Sequence, residues 1–139
     1  MAGLVPTRSN NADIRDYTWL ASREGVENAH SATLHAASLR VAGTHKLDNW
    51  LKSGIPLGEI TAEGATKGQF GLYDPVATDG RQKHVGFLLV EIQLADAVSG
   101  VENAPLFGAI LRKGQVIVNR LPVTFDKTDA DVSPHFIYR

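Results

Sequence analysis

His84-Val-Gly-Phe-Leu-Leu-Val-Glu-Ile-Gln-Leu94 is the strongest apolar passage of the chain, and how it folds decides the rest. Its continuous centre, Val85 to Val90, could suit a buried helix. Its length, Gly86 and the β-branched Val85, Val90 and Ile92 favour a strand. Neither face is polar, so such a strand needs cover on both sides. On its C-terminal side, Leu106 to Arg112 and Gln115 to Leu121 predict a hairpin, with Lys113-Gly114 as the reversal. On its N-terminal side, Gln69 to Tyr73 is a short strand stopped by Asp74-Pro75, and Asp79-Gly80 marks a turn. Gly58-Glu-Ile-Thr-Ala62 is another strand, entered through Ser53-Gly-Ile-Pro-Leu-Gly58. Pro56, with no N–H to give, belongs at its beginning or edge.

The remaining pieces are weaker. Ser31 to Val41 alternates moderately and suits a strand, although its alanines leave a helix open. Lys46 to Lys52, around Trp50, is the best short helix. Asp126 to Ser133 is acidic and turn-like, and Pro134 to Arg139 adds a last apolar piece. The class is mainly β, with one or two short helices.

The chain has 139 residues, 43% hydrophobic and 21% charged, which fits one soluble domain or one domain with an arm. With 14 Lys plus Arg against 15 Asp plus Glu, it exerts no general pull on nucleic acid or anionic lipid. The absence of cysteine excludes disulfides, thiolate catalysis and cysteine-based zinc sites. No stretch approaches the roughly 18 apolar residues of a membrane span. The first residues carry no signal-peptide pattern, so a protein made in the cytoplasm is expected.

Texture divides the chain near Lys46. Residues 1–46 are polar and Ala- and Asn-rich, with scattered large apolar groups, among them Trp19, Leu20, Leu34 and Leu39. Such a segment builds little core alone, so it reads as a partly extended arm ahead of a β-rich domain over residues 47–139. Trp19 and Leu20 favour an arm that docks over a solvated tail.

Chemistry is harder to find. His30, His35, His45, His84 and His135 lack zincin spacing, and Asp126, Asp129 and Asp131 lack the Gly and closing Glu of a calcium loop. Neither a nucleophile elbow nor a phosphate loop is present. Glu59, Glu63 and Glu91 carry no spacing that singles them out, and Arg112, Lys113 and Arg120 read as a solvated strand end rather than a phosphate site. No catalytic residue, cofactor or metal is expected. A two-sided apolar sheet in so small a domain suggests instead that a symmetric partner supplies its second cover.

Several ordered motifs resemble the lambda-type bacteriophage head decoration proteins, above all the longer forms from phages of Gram-positive hosts. Tyr17-Thr-Trp-Leu-Ala-Ser-Arg-Glu-Gly25, running on to Ala32-Thr-Leu34, is similar to that family's leading stretch, with Ala21 for a usual Gly and Glu24 for a His. Ala42-Gly-Thr-His45 precedes the domain, without the Tyr-Pro-Asn-Gly that often comes next. Ser53-Gly-Ile-Pro-Leu-Gly-Glu-Ile-Thr61 is the most specific match. Tyr73-Asp-Pro-Val-Ala-Thr-Asp-Gly-Arg-Gln82 with Val85-Gly-Phe-Leu-Leu89 is the second, and Leu111 to Pro122 resembles the closing strands.

The resemblance implies a compact β-clip-like or β-barrel-like fold. It implies a homotrimer on the outer surface of the expanded head, at three-fold or quasi-three-fold positions. The partner would be the major capsid protein, with no membrane and no direct nucleic-acid contact, and the role would be to hold the shell against internal DNA pressure. Trp19, Leu20, Leu34 and Leu39 would be the arm's capsid anchors, and Ile55, Pro56 and Leu57 would lie near the capsid-facing or trimer-facing side. The competing reading is another virion or secreted β module, for tail, head completion or carbohydrate binding.

Overall fold

The computed structural model describes residues 16–47, 49–95, 99–100 and 105–139. Over them the chain is mainly β, with ten strands in three sheets and one α-helical turn. The strands are β1 (His30–Leu34), β2 (Lys46–Leu47), β3 (Trp50–Leu51), β4 (Pro56–Glu59), β5 (Phe70–Leu72), β6 (His84–Leu88), β7 (Ile92–Gln93), β8 (Leu106–Leu111), β9 (Gly114–Val116) and β10 (Phe136–Tyr138). The helix α1 is Ala36–Leu39. No described helix is long and apolar enough to cross a membrane.

Five strands close a barrel in the order β1-β5-β4-β6-β8. β1 and β8 seal it antiparallel, from His30 opposite Ile110 to Leu34 opposite Leu106, while β1 meets β5 in parallel at Leu34 and Phe70. Pro56 begins β4, where its missing N–H costs no ladder bond. The β4–β6 register slips between Leu57 and Gly58, so Val85 is an extra residue on β6. β2, β3 and β7 form a small sheet, and β9 and β10 pair in parallel.

Side-chain alternation on β6 and β8 sorts the interior into two cores. Leu88 and Ile110 face an aliphatic cluster that also holds Leu34, Leu39, Leu57 and Leu106. Phe87 and Leu111 face the other way, into a cluster with Trp19, Val116, Phe125 and Phe136. Gly108 has no room for a side chain: a Cβ there would stand 2.7 Å from a Leu88 methyl and 3.1 Å from one of Leu34.

The double-sided burial expected of the apolar run is therefore found, but the second cover comes from within the chain. Segments before and after the barrel, around Trp19 and from Val116 to Tyr138, wrap the outer face of β6 and β8. A symmetric partner is not needed to cover this sheet, contrary to the expectation from the sequence.

Four local expectations are corrected. β8 and β9 do not form a hairpin, because both edges of β8 are taken by β1 and β6 and β9 pairs with β10 instead. Residues 46–52 hold strands rather than a helix, with Leu47 opposite Trp50 and Leu51 sunk in the core. The strand expected over 31–41 stops at Leu34, and α1 carries Leu39 into the aliphatic core. The long strand from His84 breaks after Leu88 and resumes only as β7.

The boundary near Lys46 is also corrected for the described residues. β1 is a barrel stave, and Trp19 and Leu39 are fully buried, so residues 16–46 belong to the same body as the later strands. The part of the arm over residues 1–15 lies outside the described residues.

Candidate docking surface

Trp19 is held by two ladders of contacts. Its carbonyl accepts the Ile117 N–H at 2.7 Å, and the Ala21 N–H donates to the Gln115 carbonyl at 3.0 Å, so residues 19–21 run beside β9. Its indole Nε1–H donates to Ser53 Oγ at 3.0 Å, and Ser53 donates to the Leu89 carbonyl at 2.6 Å. Gly54 takes φ +94°, and a Cβ there would sit 2.9 Å from the indole nitrogen, so glycine fits on both counts. The two motif stretches that begin at Tyr17 and Ser53 thus meet at one buried hydrogen-bond chain.

With Trp19 turned inward, Leu20 turns out. It forms an isolated bridge with Val116 and lines a groove of about 540 Å³ together with Tyr17, Val26, Leu89 and Val90. Tyr17 and Val90 each keep 40% of their surface exposed there. The Tyr17 hydroxyl donates to Glu91 Oε2 at 2.6 Å, which fixes the ring at the mouth of the groove. Arg23 is the one charged residue of its lining.

Of the seven residues expected to anchor a capsid, the structure brings only Leu20 to this surface. Trp19 is buried in the aromatic core, and Leu34 and Leu39 are buried in the barrel's aliphatic core. Ile55, Pro56 and Leu57 are fully buried as well. The physical reason is cover: the lumen and the reverse of β6 and β8 both need apolar side chains, and the leading segment supplies Leu34 and Leu39 to the one and Trp19 to the other. Tyr17, Val26, Leu89 and Val90 were not among the expected anchors. Leu89 and Val90 sit inside an apolar run with no local mark of where the barrel wall ends.

The polar candidates stay apart. Glu59 faces Arg112 at 3.8 Å, Glu63 pairs with Lys67 at 2.6 Å, and Glu91 holds Tyr17. Asp126 and Asp129 fold back on the N–H groups of Thr128 and Asp131 as local turns. His45 donates from Nε2 to the Leu39 carbonyl at 2.8 Å, and burial lowers its pKa. Among the described residues no His, Asp and Glu cluster could hold a metal ion.

His84 is the most unusual titratable group. Its ring is wedged between Phe87, at 4.6 Å, and Phe125, at 4.8 Å, and burial lowers its pKa to about 4. Its Nδ1 accepts the Ser133 N–H at 3.2 Å, so the proton sits on Nε2, which is buried with no hydrogen-bond partner among the described residues.

Compared with known proteins, the chain matches no family model, no curated protein and no solved structure.

Proposed function

We propose that this chain is a capsid decoration protein that binds the outside of an expanded phage head and stabilises it mechanically. On this reading it works as a homotrimer at three-fold or quasi-three-fold positions, and its partner is the major capsid protein. The observation that carries the reading is the uncovered apolar groove of Tyr17, Leu20, Val26, Leu89 and Val90. The groove lies at the leading motif and the Val85–Leu89 motif through which the sequence resembles such proteins. Three copies of a groove of modest affinity, linked in one trimer, would raise overall affinity by about 10²- to 10⁴-fold through effective concentration.

Co-sedimentation with empty expanded shells tests this. The intact protein pellets with the shells, and Leu20→Asp with Val90→Asp loses at least about tenfold in affinity while its thermal unfolding is retained, since a charge in an apolar contact is left without a partner. Failure of the intact protein to bind any expanded shell overturns the reading. Deletion should be limited to residues 1–15, because removing residues 1–46 would take out barrel strand β1.

A further inference from the structure

At the other end of β6 from the apolar groove lies a second cleft, of about 620 Å³, with different chemistry. The start of β6, the end of β8 and residues 130–135 enclose it. Lys83, Arg112 and Lys113 bring three cations to it, and Asp131 is the one carboxylate of its lining. That excess stands out in a chain whose net charge is -1. The basic cluster suggested by the sequence is rearranged: Arg120 lies in a separate cleft beside Asp16 and Lys52, and Lys83 takes its place.

The three cations are not equally engaged. Arg112 lies 5.5 Å above the Phe70 ring and 3.8 Å from Glu59, so it is steered by its own chain. Lys83 and Lys113 are exposed and have no side-chain partner among the described residues. Like charges gathered on one cleft repel one another, and an external anion relieves that repulsion. Between them the lining is mixed, with the apolar Val85, Val132 and Pro134 beside the buried His84 and Ser133.

We propose that this cleft is a docking site for an extended acidic peptide segment of a partner protein. Lys83 and Lys113 take its carboxylates, and the apolar lining takes the side chains that alternate with them. An extended strand sends successive side chains to opposite sides, so its carboxylates can meet the lysines while the residues between them meet Val85, Val132 and Pro134. A nucleic-acid strand fits less well. The lining holds no Phe, Tyr or Trp on which bases could stack, and the Asp131 carboxylate opposes an unbroken phosphate row. The site is separate from the apolar groove and does not depend on the decoration reading.

Fluorescence anisotropy with the full chain tests it. The probes are a labelled octapeptide of alternating Glu and Val, the same peptide with Lys for Glu, and a labelled oligothymidine. The acidic peptide should bind, more weakly as salt rises, and the basic one should not. Lys83→Glu combined with Lys113→Glu should lower affinity for the acidic peptide by about tenfold or more. Lys67→Glu, an exposed change outside the cleft, should leave it unaltered. Lys67, Lys83 and Lys113 are all on the surface, so circular dichroism should report one common fold for the variants. No binding of the acidic peptide, or equal binding by the double variant, overturns the proposal. Tighter binding of oligothymidine through the same two lysines overturns it in favour of a nucleic-acid site.

Discussion

The two cores of this protein share a wall and differ in almost everything else. The barrel lumen is mainly aliphatic, built from Leu34, Leu57, Leu88, Leu106 and Ile110, with Phe70 the one ring of that cluster. The outer core, on the reverse of β6 and β8, is aromatic, and Trp19, Tyr73, His84, Phe87, Phe125, Phe136 and Tyr138 crowd within ring-to-ring distances of 4.6 to 6.0 Å. The lumen is made by the strands that close the barrel. The outer core is made largely by segments that would otherwise be a leading arm and a tail. Buried polar groups stand beside both cores: Ser53, His84 and Ser133 at the outer one, and Ser38 and His45 next to Leu72 and Leu39 at the lumen. The outer core holds the histidine that burial shifts most strongly, His84.

The largest effect should come from the shared wall. Phe87 packs edge-on against Phe136 at 5.0 Å and lies tilted against Trp19 at 5.6 Å. Phe87→Ala should cost about 3–5 kcal/mol and loosen the Trp19 and Phe136 segments together. Leu88→Ala, its neighbour on the lumen side, should cost about 2–5 kcal/mol. Chemical denaturation followed by Trp fluorescence in a Trp50→Phe background separates them: the outer-core variant should lose the Trp19 signal before the barrel melts. One coincident transition for Phe87→Ala would mean that the two cores are a single cooperative unit.

Acid should distinguish the cores next. His84 has its folded pKa near 4 against an ordinary value of 6.5. Its neutral form is favoured in the fold, so the unfolded chain binds the extra proton between those values. The contribution of His84 is then full above about pH 6.5, falls as pH drops towards 4 and levels off below, a loss of about 3 kcal/mol. Burial also lowers the pKa of His35 and of His45, which act in the same direction. Of the rings packed on it only Tyr73 titrates, and burial with nearby aspartates pushes that phenol up to about 12, so it stays neutral throughout. His84→Phe should be less stable near neutrality, since the Ser133 N–H loses its acceptor, yet close most of the gap by pH 4. Parallel pH profiles for the two proteins would remove His84 from this role.

This asymmetry also explains what could be read in the sequence. Barrel strands were legible as short apolar runs between Gly and Pro, and Pro56 begins its strand as its missing N–H requires, although that strand ends at Glu59 rather than reaching Ala62. The two-sided burial of Phe87 and Leu88 was legible in an unbroken apolar run. The identity of the cover was not, because nothing local in Phe125 or Phe136 shows that they return across the barrel. The same gap misplaced Trp19: an aromatic in a polar stretch reads as an anchor for something outside until the outer core is known to exist. Of the surface groove only Leu20 was visible, because where β6 ends depends on its neighbours rather than on Leu89 and Val90 themselves.

A smaller effect is expected from the hydrogen-bond chain that ties the outer core to the barrel. Ser53→Ala removes both the acceptor for the Trp19 indole and the donor to the Leu89 carbonyl, leaving two buried groups unpaired. The cost should be about 2 kcal/mol, read as a shift in denaturation midpoint. Trp19→Phe in the Ser53→Ala background should cost less than Trp19→Phe alone, because the indole N–H is then already an orphan. Strictly additive costs would show that the two side chains are not coupled.

The smallest effect should come from a residue that belongs to neither core. Phe107 stands opposite Thr33 on the outer face of the β1–β8 seam and keeps 59% of its surface exposed. Its neighbours on β8, Leu106 and Gly108, are buried towards the lumen, so the strand's alternation sets Phe107 outside. Phe107→Ser should therefore change the stability of the isolated chain by no more than about 0.5 kcal/mol, since no packed cavity is opened and no buried polar group is orphaned. A loss as large as that of Phe87→Ala would mean that the outer face of the seam is covered too, and that dividing the molecule into a lumen and one outer core leaves out a third packed surface.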